Sequence, residues 1–199
     1  GRLIAAYAPG VPPQGMHPGR AAFVPKGTKF VMQLHYTPNG RPQEDMSQLG
    51  FRFAKAEDVT QQVESGMAIN FLIAIPPGKP DATFNAAFRF KEDREMLALT
   101  PHMHLRGKAF RYEAEYPDGT SEILLDVPKY DFNWQITYHF AEPKLMPKGT
   151  RLKCTAVFDN SAENPNNPDP TRTVTFGEQT WDEMLIGWFQ TGSVTAPGT

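Results

Sequence analysis

The chain has 199 residues, a formal net charge of -2, and a composition of 40% hydrophobic and 21% charged residues. This length suits one large β domain, or a complete domain with part of another, and the composition is that of an ordinary globular protein. The charge gives no basic surface for nucleic acid, and no apolar run approaches the ~20 residues that span a bilayer. We therefore expect neither a nucleic-acid partner nor a membrane span.

Turn-forming residues divide the chain into short segments. The 19 prolines and 16 glycines interrupt nearly every segment before an amphipathic helix could develop. The segments between them are rich in aromatic and β-branched residues, and they predict strands at 29–36, 49–54, 67–75, 83–90, 96–105, 109–116, 121–127, 133–140, 151–158 and 183–190. The pattern predicts an all-β fold, an antiparallel jelly-roll β-sandwich.

Three connections stand out along the chain. The weak periodicity of residues 55–66 predicts a domain junction or a single helical turn. Asp118-Gly119 predicts a hairpin, because glycine readily takes the positive φ that tight turns require. The polar, Pro- and Asn-rich segment 161–172 predicts a loop.

The sequence "PHMHL" places His102 and His104 two residues apart. In a strand, such residues point to the same face about 7 Å apart, so both imidazoles could bind one ion. An isolated pair also occurs on solvated strand faces, and a functional site needs a third ligand. The residue types present leave several candidates open: His35, His139, His17, Glu113, Asp182, Glu183, Cys154 and a methionine.

Some of these candidates have simpler interpretations. His17 and His139 are read as structural or solvated residues, and Met184, by composition alone, as a core residue between aromatics. A cupin-type site would need a glutamate soon after the histidine pair. The next acid is Glu113, nine positions after His104, which fits that site poorly.

The motifs "PHMHLRGK" and, 80 residues after His104, "TWDEMLIGWF" carry a resemblance. Together they resemble the copper-binding half of the type II, ascorbate-dependent copper monooxygenases, the family of peptidylglycine α-hydroxylating monooxygenase and dopamine β-monooxygenase, and especially its bacterial members. The segments "FVMQLHYTPNG", "SGMAINFLIAIPPG" and "RLKCTAVFDN" fall in the family's order, so the resemblance covers nearly the whole chain.

The resemblance implies a copper site and a domain division. The family has two tandem jelly-roll domains, and its catalytic copper ligands map onto His102, His104 and Met184. Residues 1–56 would be the C-terminal strands of a first domain, and residues 57–199 the complete second domain with the copper site. The missing upstream domain would then be a partner from the same polypeptide.

The family's second, electron-transfer copper is only partly matched. Its third histidine ligand maps onto His35, but this sequence contains no His-His pair to complete that site. The resemblance therefore implies that His35 is one ligand of an incomplete second copper site.

The resemblance also bears on substrate and disulfide pairing. The positions that hold a peptide carboxylate in the peptide-amidating enzyme are Thr100, Ile186 and Trp188 here, which suit an apolar or aromatic small molecule better. In the family a disulfide joins the strand of Cys154 to the residue after the methionine ligand. That residue is Leu185 here, so the disulfide cannot form. We expect Cys154 to be a free thiol, buried near Leu152 and Val157.

Two functions follow as expectations. The first is a copper-dependent monooxygenase-like domain of a secreted or periplasmic bacterial protein, in which copper activates O2 to hydroxylate a C–H bond, with electrons from an external donor. Asp182 and Glu183 would help to set the ligand-bearing strand, without a catalytic role. The alternative is a noncatalytic copper-binding or interaction β-sandwich module, favoured by the absence of a His-His pair.

Overall fold

The computed structural model describes residues 3–7, 15–36 and 39–194, which form an all-β fold. A single 3-10 turn spans Ala56–Asp58. The strands are β1 Arg20–Ala21, β2 Gln61–Ile69, β3 Ala74–Ile75, β4 Ala82–Arg89, β5 Arg94–His102, β6 Gly107–Glu115, β7 Ser121–Val127, β8 Tyr138–Met146, β9 Arg151–Phe158, β10 Val174–Thr175 and β11 Ile186–Ser193.

Two large sheets form a sandwich. The first has the order β1-β2-β11-β5-β8 and the second the order β4-β9-β6-β7, while β3 and β10 pair separately. The pairings are antiparallel except for the short contact of β1 with β2. Leaving out the two-residue strands, the chain passes between the sheets in the order of two Greek keys, as in a jelly roll. The predicted fold class is confirmed.

Alternation of apolar and polar residues builds the core. In β9 the residues Leu152, Cys154, Ala156 and Phe158 are buried, while the residues between them are more exposed. Phe189 of β11 packs its ring against Phe88 and Phe90, with ring centroids at 4.9 and 5.7 Å. Burying a phenylalanine stabilises a fold by roughly 1.5–3 kcal/mol, so these inward-facing rings hold the two sheets together.

Cys154 is a free cysteine and is buried, as predicted. Burial raises the pKa of its thiol. Leu152 shares its face of β9, but Val157 lies on the opposite face, so the expected contact with Val157 is wrong. Its neighbours across the strands are Ala86 and Tyr112.

Several strand predictions need correction. β7 and β9 have the predicted bounds, but β2 begins at Gln61, within the segment predicted as a junction. Gln61 is buried although it is polar, and its amide donates to Glu95 Oε2 at 2.6 Å, so the sequence pattern did not show a strand beginning there. β8 covers only the end of 133–140 and continues to Met146.

The segments 29–36 and 49–54 are not strands within the described residues. Their apolar side chains are exposed, up to 92% for Val31, although the rings of Phe30 and Phe51 touch with centroids 4.6 Å apart. Two extended segments alone are only marginally stable as a hairpin. These two segments have no third strand beside them among the described residues, so their apolar pattern does not lead to a sheet.

The connections agree better with the sequence. The turn at Ala56–Asp58 confirms a single helical turn, and Gly119 has a φ of +88° in the β6–β7 hairpin, where its N–H donates to the Tyr116 carbonyl at 3.0 Å. Residues 161–172 form the predicted loop. Within the described part of the chain, no helix is long and apolar enough to cross a membrane.

The division at residues 56 and 57 stays a prediction. Positions 1–2, 8–14, 37–38 and 195–199 lie outside the described residues. Among the described residues before Thr60, the two residues of β1 pair with β2 and so belong to the first sheet.

Candidate metal centre

The His-Met-His sequence lies at the end of β5. His102 is the last residue of this strand, and Met103 is fully buried in the core cluster between the sheets. The rings of His102 and His104 lie together away from the core, with centroids 5.2 Å apart and planes at 82°. The alternation along the chain therefore places both imidazoles on the outer side of the first sheet.

A tyrosine fixes the backbone between the two histidines. The hydroxyl of Tyr130 donates to the Met103 carbonyl at 2.8 Å and accepts from the Met103 N–H at 3.0 Å. The ring of Tyr130 also comes so close to Gly107 that a Cβ there would lie 2.7 Å from it. This bonding holds the segment after β5 in place where the strand pairing has ended.

A glutamine decides which nitrogen of His102 carries the hydrogen. The Nε2 of Gln135 donates to the Phe132 carbonyl at 2.8 Å, which directs its Oε1 to His102 Nδ1 at 2.6 Å. An amide oxygen can only accept, so the hydrogen of His102 is on Nδ1 and the lone pair is on Nε2. Burial lowers the pKa of His102, partly offset by this hydrogen bond, so the ring is neutral at neutral pH.

His104 has a similar arrangement and is only 5% exposed. Its Nδ1 lies 3.3 Å from the Asp182 carbonyl, an acceptor that favours a hydrogen on Nδ1. Burial, followed by the nearby His102, lowers the pKa of His104 to about 4, while the carbonyls of Asp182 and Gln179 oppose this shift. Two neutral imidazoles therefore lie side by side, each with a tautomer that leaves Nε2 for a ligand.

Glu183, which lies just before β11, bonds to the backbone of the histidine segment after β5. Its carboxylate accepts the backbone N–H groups of His104 at 2.8 Å and of Arg106 at 2.6 Å. Glu183 therefore ties the residues just before β11 to the segment between β5 and β6. Burial raises the pKa of Glu183 to about 7, opposed by the hydrogen bonds from Arg106 and His104.

Arg106 extends this anchor into the polar loop. Its guanidinium is buried and donates to Asn160 Oδ1 at 2.9 Å and to the Trp181 carbonyl at 2.9 Å. Asn160 in turn donates to the carbonyls of Pro76 and Arg172. These bonds connect the polar loop to Arg106, which follows the histidine pair, and to Trp181, which precedes β11.

β11 begins opposite the end of β5. Ile186 pairs with His102, and Met184 precedes Ile186 by two residues. The residues just before Met184 contact His104, through the Asp182 carbonyl and the Glu183 carboxylate, so the backbone at Met184 lies near His104. Met184 is half-buried, and its role as the third ligand stays a prediction.

The predicted substrate residues lie in the same two strands. Trp188 pairs with Thr100, and both are half-buried. The hydroxyl of Thr100 is 2.9 Å from that of Thr137. Ile186 is only 6% exposed, so it packs under the site more than it lines an open surface.

His35 lies outside the strands, and its side chain is exposed. The nearby His35 also contributes to the lowered pKa of His104, although less than burial and His102 do.

Other donor combinations are limited in the structure. Within residues 3–7, 15–36 and 39–194, no three His, Cys, Asp or Glu side chains group closely enough to hold a metal ion. A site on His102 and His104 would therefore need a donor of another type, such as a thioether. Sequence reasoning missed Gln135 and Tyr130, because neither has a motif that links it to the histidines.

Comparisons with known proteins identify no relative by sequence. No protein-family model matches the chain, and no curated protein matches it. Among the solved structures that match is the infectious bursal disease virus VP2 subviral particle, at 15% identity and a TM-score of 0.31. The match covers 67% of this chain and 32% of the viral chain, so the chain spans about a third of that protein. At this level the likeness carries no inference about function.

Proposed function

We propose that this chain is a copper-dependent monooxygenase-like domain, similar to the type II ascorbate-dependent copper monooxygenases. His102, His104 and Met184 would hold the metal. The observation that carries this proposal is the pair of neutral imidazoles 5.2 Å apart, with the acceptors Gln135 and Asp182 on their Nδ1 atoms. Such partners orient metal-binding histidines and leave Nε2 as the ligand atom.

The donor set fits copper. Imidazole binds both copper oxidation states, and a thioether favours Cu(I). Copper bound there would supply one-electron chemistry and activation of O2 for hydroxylation of a substrate C–H bond. The protein's own contribution is to keep both rings neutral, through burial, and to fix their orientation through Gln135, Tyr130 and Glu183.

The substrate would be a small apolar or aromatic molecule. Thr100 and Trp188 form a half-buried surface two residue pairs from His102, and the hydroxyl of Thr100 is already bonded to Thr137. Neither residue provides a cation for a carboxylate. Electrons would come from an external donor, and a secreted or periplasmic location in a bacterium would suit this chemistry.

A metal titration tests the ligand set. Cu(II) binding is followed by electron paramagnetic resonance and Cu(I) binding by competition with a chelator, in wild type, His104→Ala and Met184→Ala. We expect His104→Ala to abolish binding at this site and Met184→Ala to weaken Cu(I) more than Cu(II). Met46→Ala is the control, because Met46 is 84% exposed and should leave both affinities unchanged. Equal binding by wild type and both site variants would overturn the site.

Turnover separates the enzyme from its alternative, a noncatalytic copper-binding or interaction module. The lack of a His-His pair in these 199 residues favours that alternative for the chain alone. The test is oxygen consumption with ascorbate and candidate apolar substrates, in a protein that includes any upstream domain. Substrate-stimulated consumption supports the monooxygenase, and copper binding without it supports the module.

A further inference from the structure

A second pair of histidines lies on the outer face of the first sheet. The rings of His17 and His139 have centroids 5.8 Å apart and planes at 83°. His139 is on β8, and His17 precedes β1 in the chain. Their sequence contexts predict structural or solvated residues and give no sign that the fold places the two rings in contact.

The contact requires the chain to cross the sheet. β1 and β8 are at opposite edges of the five-stranded sheet, so the residues before β1 pass over its outer face. A small cavity beneath them is lined by one residue from each strand that they cross: Val63, Gln190, Leu97 and His139. We call residues 15–18 the strap.

One end of the strap is fixed by a turn. The carbonyl of Gly19 accepts from the N–H groups of Thr60 at 2.8 Å and Gln61 at 3.0 Å, and the Arg20 N–H donates to the His17 carbonyl at 3.1 Å. Gly19 has a φ of +79°, and a Cβ there would lie 2.7 Å from Thr60 Oγ1. Only glycine suits this turn, which sets the direction in which His17 leaves it.

The cavity is lined by a thioether, that of Met16, as well as by the two histidines. It measures about 20 Å³, room for a single water or ion, and Gly15, Met16, His17 and Arg20 complete its lining. None of its lining residues is a carboxylate. Neutral nitrogen and sulfur donors bind soft cations, whereas hard divalent cations prefer oxygen ligands.

We propose that His17, His139 and Met16 form a binding site for a soft monovalent cation, Cu(I) or its analogue Ag(I), which fastens the strap across the sheet. The guanidinium of Arg20, bonded to Gln61 Oε1 at 2.8 Å, adds a positive charge beside the site. Its repulsion is twice as strong for a divalent cation as for a monovalent one, which favours the monovalent ion.

This site is separate from His102 and His104. His139 pairs with Ala98, four residues before His102 on the same strand. Four residues of a strand span about 13 Å, too far for the two histidine pairs to share one ion. The proposal does not depend on copper at the first pair.

Imidazole NMR can follow each site by itself, because the chain has five histidines. The full chain, with 13C-labelled histidine, is titrated with Ag(I), and the five ring signals are assigned with His→Gln variants. We expect the His17 and His139 signals to shift together and saturate at one equivalent for this site. The same two signals should stop titrating with pH once the ion is bound.

Variants give the decisive comparison. His139→Gln and Met16→Leu should each weaken Ag(I) binding at this site at least tenfold, while the signals of His102 and His104 respond to Ag(I) as in wild type. Met46→Leu is the matched control for Met16→Leu and should behave as wild type. Independent, non-saturating shifts of His17 and His139 would overturn the proposal, as would wild-type affinity in Met16→Leu. Loss of binding at His102 and His104 alone would count only against the proposed function.

Discussion

An imidazole can bind a metal only through the nitrogen that carries no hydrogen, and at His102 this is decided by Gln135. Gln135→Leu removes the acceptor at 2.6 Å from Nδ1 while keeping a similar volume. Loss of such a partner typically weakens metal binding about 10- to 100-fold. We expect Gln135→Leu to weaken Cu(I) binding by this factor, as measured by competition with a chelator.

The control for this substitution is Gln43→Leu, because Gln43 is exposed and its side chain bonds only to the Pro42 carbonyl in the structure. This variant should bind Cu(I) as wild type does. If Gln135→Leu also keeps the wild-type affinity, Gln135 does not orient the ligand.

His104 should make the metal-free chain sensitive to acid. Its folded-state pKa is about 4 and its ordinary value is 6.5, so between these values the unfolded chain binds the proton and the folded chain does not. Stability from this group is therefore present above pH 6.5 and falls as the pH drops towards 4. The loss is on the order of 3 kcal/mol.

Comparison with His104→Gln isolates this effect. Glu183 has a raised pKa and acts in the opposite direction over much of the same range, but it contributes to both proteins. The free energy of unfolding is measured in urea from pH 4 to 8. Wild type should lose stability relative to His104→Gln as the pH falls below 6.5, and parallel curves would contradict the prediction.

At the scale of residues, the sequence predicted ligands but not their supports. His102 and His104 could be proposed as a pair from their spacing, and Met184 only from the resemblance to the copper monooxygenases. Gln135 and Tyr130 could not, since their contacts depend on how the loop after β7 folds back over β5. Arg106 and Asn160 carry no pattern that predicts a buried polar network.

At the scale of elements, β11 and β9 meet where Gly187 faces Cys154. A Cβ at position 187 would collide with the Cys154 sulfur and would lie 2.9 Å from the ring of Tyr112. Gly187→Ala should cost roughly 1–3 kcal/mol of folding free energy, because overpacking shifts the two sheets apart. Cys154→Ala removes the sulfur and should recover part of this loss.

A double-mutant cycle in urea measures that recovery. The destabilisation of the double variant should be smaller than the sum of the single ones by about 0.5–3 kcal/mol. Gly50→Ala serves as the control, since a Cβ at Gly50 meets no atom within 4 Å. Strict additivity would mean that the sulfur is not what limits the space at Gly187.

The strands that the sequence predicted correctly are those buried on one face. In β9 the alternation is regular, and the predicted bounds 151–158 match the structure. The segments 29–36 and 49–54 are also rich in apolar residues but form no sheet among the residues that the structure describes. An apolar pattern indicates that a segment can form a strand. A strand forms only where a neighbouring strand is available for pairing, and the local sequence does not identify that neighbour.

At the scale of the whole molecule, the predicted boundary between residues 56 and 57 can be tested by removing residues 1–56. The core cluster lies entirely within residues 68–189, and both Greek keys are formed by strands after Thr60. We therefore expect 57–199 to unfold cooperatively and to keep its near-ultraviolet circular dichroism. Removal of the strap uncovers Val63 and Leu97, each worth roughly 1.5–3 kcal/mol when buried, so the free energy of unfolding should fall by a few kcal/mol.

The shortened chain also separates the two proposed ion sites. It lacks Met16 and His17 but retains His102, His104 and Met184. We expect it to lose one equivalent of Ag(I) and to keep Cu(I) binding at the first pair, both measured by titration against the full chain. Loss of cooperative unfolding, with binding of a hydrophobic dye, would instead show that residues 1–56 belong to the same folding unit as the sandwich.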